Sequence, residues 1–148
     1  MVGPWHLSLL LLDSDRESFE EVDVCIKGQI EVYNQTSLKQ QWRMLPTKPG
    51  DNPEAKFQVT TLLVRPAVWL INTPLGGQLK ATVVAYKRDE FAVVVHCGWQ
   101  HGDLVHMWTA AITRSPVLTP QLRLQLTSAL INTGYQPSMT KVITWSKC

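Results

Sequence analysis

The sequence predicts an all-β domain, a sandwich or a barrel, with a single helix late in the chain. Three observations carry this. Runs of apolar β-formers, alternating with polar residues or continuous, recur at residues 56–64, 79–86, 91–97 and 106–113. Turn residues separate them, and many short strands at regular spacing mark a sheet that is doubled or closed on itself. One stretch departs from the pattern: between Thr119 and Gly134 the apolar residues recur at helical spacing.

Taken in order, residues 5–12 form a first strand. Their apolar core is short, no basic residue precedes it, and Asp13-Ser14-Asp15 stands where the cleavage site of a secretory leader would need small residues. Residues 20–26, 30–34 and 40–45 are the next strand candidates. Asp51-Asn52-Pro53 and Gly76-Gly77 punctuate the chain on either side of the 56–64 strand. Residues 79–86 (LKATVVAY) and 91–97 (FAVVVHC) flank the charged break at 87–90 and make a β-hairpin. A turn at 98–103 leads to the strand at 106–113.

The helix follows. Thr119 is its N-cap and Pro120 its first residue, where a missing N–H costs nothing. Leu122, Leu126, Ala129 and Leu130 form the apolar stripe, and Gly134 suits the C′ position. A lone amphipathic helix after so many strands must lay its stripe on the outside of the sheet. Residues 142–145 give one more short strand before Cys148.

Composition bounds the rest. At 148 residues the chain is a single domain, 1–148, long enough to bury about 70% of its unfolded surface. Its formal charge of +2 is small and dispersed, and the basic pair Lys87-Arg88 is followed at once by Asp89-Glu90. Nucleic acid is therefore not an expected partner. No apolar run reaches the ~18 residues of a membrane-spanning helix. The three cysteines, Cys25, Cys97 and Cys148, leave at least one unpaired within a monomer. A cysteine at the last position is a poor core residue and a natural staple for a tail. With the sequon Asn34-Gln35-Thr36, it points to secretion, glycosylation at Asn34 and a mature form of the chain.

Metal, phosphate and acid–base chemistry find little support. His96, His101, His106 and Cys97 have zinc-binding side chains, but His96 and Cys97 are strand neighbours and point to opposite faces. No metal and no cofactor are expected. Asp13, Asp15, Glu17, Glu20 and Glu21 form a solvated acidic stretch, and Gly76-Gly77 lacks the following helix that a phosphate loop requires.

The segment 80–148 resembles the second half of a lipocalin of the apolipoprotein D type. The resemblance rests on Phe91-Ala92-Val93-Val94-Val95-His96-Cys97, on Ile112-Thr113-Arg114-Ser115-Pro116, and on Leu118-Thr119-Pro120 with the helix and the tail through Cys148. Gly3-Pro4-Trp5 stands where that family has G-x-W, and Phe19, Cys25 and residues 28–35 are similar to its second and third strands. Departures are visible. Tyr86-Lys87 replaces the family's Thr-Asp, residues are missing between Cys25 and Gly28, and residues 68–78 look like an insertion.

The resemblance implies an eight-stranded antiparallel up-and-down barrel with one C-terminal helix outside. It also implies a non-enzymatic, extracellular carrier of a small hydrophobic ligand such as a lipid, fatty acid or retinoid. Trp5 and Arg114, with Gly3, would lock the closed end, the guanidinium stacked on the indole. Cys25 is a fork. In the apolipoprotein D pattern it bonds the C-terminal cysteine, here Cys148. In lipocalin-type prostaglandin D synthase a similar position is a catalytic thiol, the isomerase alternative. That family's separate tail-binding cysteine has no counterpart in residues 38–43, which favours the disulfide. Cys97 would then be free, available for a protein partner or a dimer. Strand alternation gives Phe57, Val59, Leu63, Phe91, Val93, Val95 and Trp108 as lining candidates, while the same residues would also serve a filled barrel acting as an interaction protein.

Overall fold

Eight antiparallel strands close on themselves because the first pairs with the ninth as well as with the third. The computed structural model describes residues 1–46, 54–134, 136–145 and 148. Its strands are β1 (Gly3–Asp13), β2 (Ser18–Val22), β3 (Val24–Asn34), β4 (Ser37–Pro46), β5 (Ala55–Arg65), β6 (Val68–Asn72), β7 (Gln78–Lys87), β8 (Phe91–Gln100), β9 (Asp103–Thr113) and β10 (Thr140–Trp145). The barrel consists of β1 and β3 to β9, while β10 and β2 extend the sheet beyond it. Helix α1 (Pro120–Ile131) lies outside.

The count of eight arises differently from the sequence expectation. Residues 20–26 and 30–34 do not form two strands. β3 runs unbroken from Val24 to Asn34, and the segment before it pairs in parallel with β10. Lys27-Gly28-Gln29 does not interrupt β3, because Gly28 is where the Trp42 ring crosses it. A Cβ at Gly28 would lie 2.5 Å from the indole. The second barrel strand is thus full length, not shortened. The apparent insertion at 68–78 supplies the missing strand. Ala67 turns the chain with φ 64°, and β6 pairs with both β5 and β7.

Turn chemistry elsewhere follows the sequence with shifted ends. The 87–90 break is a turn with Asp89 at φ 59° and Lys87 paired with Glu90 at 2.9 Å. The 98–103 turn is tighter than expected: His101 and Gly102, both at positive φ, let β8 and β9 continue to Gln100 and Asp103. Asp51-Asn52-Pro53 lies outside the described residues. Thr119 caps α1 by accepting the Leu122 N–H at 3.2 Å. Asn132 is the C-cap and Gly134 falls one residue beyond C′, with φ 87°.

Two apolar layers hold the barrel. Inside, Trp5, Ile30, Ala92 and Ile112 pack with Trp69, Ile71, Ala81 and Val94. Outside, Leu126 and Leu130 of α1 cover Phe91, Val93, Ala111, Leu9 and Leu11. Each of the two leucines is essentially solvent-free, contributing roughly 1.5–3 kcal/mol by burial.

One end is closed. Bonds from Leu63 N to Thr36 O, Val83 N to Ala67 O and Arg114 N to Glu90 O gather its turns, at 2.8, 2.8 and 2.9 Å. Across that floor the Arg114 guanidinium lies 3.8 Å from the Trp5 ring centroid and donates to Pro4 O and Val2 O, both at 2.7 Å. Gly3 is required twice over. Its φ is 113°, and a Cβ there would meet Arg114 Nη1 at 2.8 Å.

Toward the other end the β1–β3 seam opens. β1 pairs with β3 only through His6, and from Leu9 onward it pairs with β10 instead. The Cys25–Cys148 disulfide spans that seam, tying the tail after β10 back to β3. Cys97 is free and half-buried. Titration with a thiol reagent in denaturant without reductant is expected to find one thiol per chain, and three would show that the bond does not form.

Candidate functional site

Inside the barrel, a cavity of about 300 Å³ opens away from the Trp5 floor, at the lower end of the size range for small-molecule sites. Strand register builds its wall in layers. Trp69, Ala81, His96 and Trp108 are successive partners across β6, β7, β8 and β9, so all four face inward at one level. On the opposite wall Trp42 lies over Gly28, and Phe57 and Val59 follow on β5.

Polar groups are few and mostly engaged. Gln40, buried, donates from Nε2 to Thr61 Oγ1 at 2.9 Å and accepts at Oε1 from Trp42 Nε1 at 3.1 Å. His96 stacks on Trp108, centroids 5.0 Å apart and planes 21° from parallel. Its Nδ1 is buried without a partner. Among the described residues, no Asp, Glu, Lys or Arg side chain lines the cavity.

The His96 pKa is lowered from 6.5 to about 4, chiefly by burial and in smaller part by the nearby His106, with the backbone at Val94 and Trp108 acting in the opposite direction. The imidazole is therefore neutral in the fold at neutral pH, while the unfolded chain takes up the proton below pH 6.5. Stability is lost as pH falls from about 6.5 to 4, amounting to about 3 kcal/mol for a shift of that size. Denaturant unfolding across this range, compared with His96→Leu, is expected to show a shallower acid decline in the variant. Parallel profiles would contradict the shift.

The structure divides the expected lining residues. Phe57, Val59 and Trp108 border the cavity. Phe91, Val93 and Val95 do not. Phe91 and Val93 are in the outer layer beneath α1, and Val95 borders a recess on that same outer side. The reason is that β8 is buried on both faces, so FAVVV is continuously apolar and its alternation gives no parity. Ala92, Val94 and His96 hold the inward positions instead. Leu63, opposite Trp69 in the register, lies near the closed-end turn and is 41% exposed.

Residues that the sequence reading missed as lining include Trp42, Trp69, Ile71 and Gln40. The alternation Trp69–Ile71 was available as a signal, but it lay in the segment taken as an insertion.

The remaining candidates separate. Cys25 is bonded to Cys148 and is opposite in parity to Ile26 and Ile30, which line the cavity, so it is neither a free thiol nor an inward one. His101 sits in the β8–β9 turn, and His106 lies outside, its Nδ1 2.6 Å from Asp13 Oδ2 and its Nε2 2.8 Å from Thr109 Oγ1. His106 and Asp13 border the outer recess, of about 500 Å³, between the end of α1 and β1 and β9. Asn34 is exposed in the β3–β4 turn, where its Oδ1 accepts from Thr36 N at 2.9 Å.

No protein-family model matches the chain, and no curated protein sequence matches it with significance. Solved structures do. The siderocalin Ex-FABP, described as functioning through dual ligand specificities, is similar with TM-score 0.68 and 14% identity, covering 97% of this chain and 89% of that one. The possum milk whey lipocalin trichosurin, crystallised with bound 4-ethylphenol, gives 0.64 and 17%, covering 95% and 94%. Lobster apocrustacyanin A1 gives 0.67 and 12%, covering 97% and 76%. The closed eight-stranded barrel with its outer helix is the lipocalin fold.

Proposed function

We propose that the chain is an extracellular carrier that holds a small hydrophobic molecule in the barrel, with an apolipoprotein D-like arrangement of its tail. One observation carries this reading: the aromatic cavity, without an Asp, Glu, Lys or Arg side chain among the described residues, that the fold leaves open above the Trp5 floor. A solid core would place side chains in that volume. Burying ~300 Å² of ligand there gains roughly 7 kcal/mol before ordering costs, which puts the upper limit of affinity in the micromolar range. That trichosurin holds 4-ethylphenol supports a ligand of modest size.

The disulfide supports an oxidising compartment. Glycosylation at the exposed Asn34 and pairing through Cys97 belong to the same reading, although half-burial makes Cys97 a slow thiol. Trp42, Trp69 and Trp108 report on occupancy. Quenching of tryptophan fluorescence by a panel of lipids, retinoids and small aromatics is expected to saturate for at least one class. Ala110→Phe, which fills the wall beside Val94, is expected to weaken that binding by about tenfold or more. A flat response across the panel would replace the carrier reading with that of a filled barrel.

A further inference from the structure

A second hollow lies outside the barrel, where the end of α1 and the segment leading into β10 stand over β1, β8 and β9. Its volume is about 500 Å³, larger than that of the cavity within. Leu11, Val95, Leu130 and Met139 give it an apolar surface, and its polar side is built mainly from acceptors. Asp13, at the end of β1, has a largely exposed carboxylate, whose Oδ2 takes the His106 Nδ1–H at 2.6 Å. In that tautomer His106 Nε2 accepts from Thr109 Oγ1 at 2.8 Å, so both ring nitrogens are spent within the protein. Thr133, exposed, donates to Leu130 O at 2.6 Å, and Thr140 donates to Gln136 O at 2.7 Å. Each of these hydroxyls has used its one hydrogen, and what it has left to offer is lone pairs. Ser14 and Gln136 also border the recess and can present either sense.

Charge points the same way. Among the described residues no Lys or Arg side chain borders the recess, and Lys141 on β10 is held by Glu20 at 2.6 Å. The last turn of α1 carries no basic residue, so the negative end of its dipole, beside the recess, is not offset by a cation of its own. We propose that this recess is a second binding site, for a small amine whose ammonium donates to Asp13 and whose apolar body lies on Leu11, Leu130 and Met139. An ammonium brings three donors and no acceptor, which matches a surface of lone pairs. A carboxylate meets like charge at Asp13, and an alcohol brings a single donor and no charge. The two hollows share no lining residue among those described, so the amine and the barrel's ligand bind apart.

Three probes of similar shape test this at neutral pH: phenethylamine, phenylethanol and phenylacetate, titrated against the disulfide-bonded protein with isotope-labelled methionine methyls. Met139 borders the recess, while Trp42, Trp69 and Trp108 border the barrel cavity, so methyl NMR and tryptophan quenching read the two hollows separately. The Met139 signal is expected to shift saturably with phenethylamine, about fivefold more weakly with phenylethanol, and least with phenylacetate. In Asp13→Asn, which keeps an oxygen for His106 Nδ1, the amine should lose its advantage and bind like the alcohol. Salt gives the same answer without a variant, because raising it should weaken the amine and leave the alcohol unchanged. Equal binding of amine and alcohol, an advantage that survives Asp13→Asn or high salt, or tightest binding by phenylacetate overturns the proposal. So does an unmoved Met139 signal; if the tryptophans are quenched instead, the amine is a ligand of the barrel. The carrier reading is judged separately, by the lipid panel.

Discussion

Replacing Trp5 by alanine is expected to lower the free energy of unfolding by about 3–5 kcal/mol, the range for deleting a fully buried indole that the neighbours cannot refill. Trp5 has no exposed surface and packs with Ile30, Ala92 and Ile112 on the barrel floor. Its Nε1 donates to Met1 O at 2.6 Å, and Arg114 stacks on its ring. The variant loses packing, a hydrogen bond and the surface that orients Arg114. Urea unfolding measures the loss, and a double-mutant cycle with Arg114→Ala isolates the stacking, expected at roughly 0.5–2 kcal/mol. Arg114 is half-buried, so the middle of that range is the expectation. A loss below 1 kcal/mol in Trp5→Ala would mean that the floor does not depend on the indole.

Removal of the disulfide, as Cys25→Ser with Cys148→Ser, is expected to cost up to about 5 kcal/mol, from the entropy of closing a loop whose ends are 123 residues apart. The position of the bond adds a local consequence. Above His6 the β1–β3 pairing ends, and β10 with its tail bridges the gap. Without the bond, amide exchange should rise first in β10 and β2, which are paired only at this margin of the sheet. Uniform exchange across the barrel would place the effect wholly in the unfolded chain. Little change in stability would mean that strand pairing alone docks the tail.

Local signals were legible wherever one side of the chain meets water. The 87–90 turn, the Thr119-Pro120 helix start and the helical stripe through Leu126 and Leu130 were each readable, because turn and cap chemistry depend on a few adjacent residues. The alternating strand 56–64 gave Phe57 and Val59 their correct side. On β8 the same method failed, since helix α1 buries the outer face and both parities are apolar. β6 was lost for the opposite reason. Five residues are too few for a period to stand out, and Trp69 and Ile71 show their alternation only once β5 and β7 flank them.

Local pattern therefore reaches as far as the class of the fold: strands in number, one helix laid outside them, Cys148 as a staple and an arginine–tryptophan pair available to lock one end. The strands and the helix follow from periodicity and capping, which act over a turn or a hairpin, whereas the lock came only from the family resemblance. The interior depends on long-range packing. Strand register carried Trp69, Ala81, His96 and Trp108 to one level, Gly28 made room for Trp42, and the break in the β1–β3 seam gave the disulfide its place. Contacts across the barrel join residues far apart in the chain, and no local pattern encodes which of two faces a doubly buried strand turns inward.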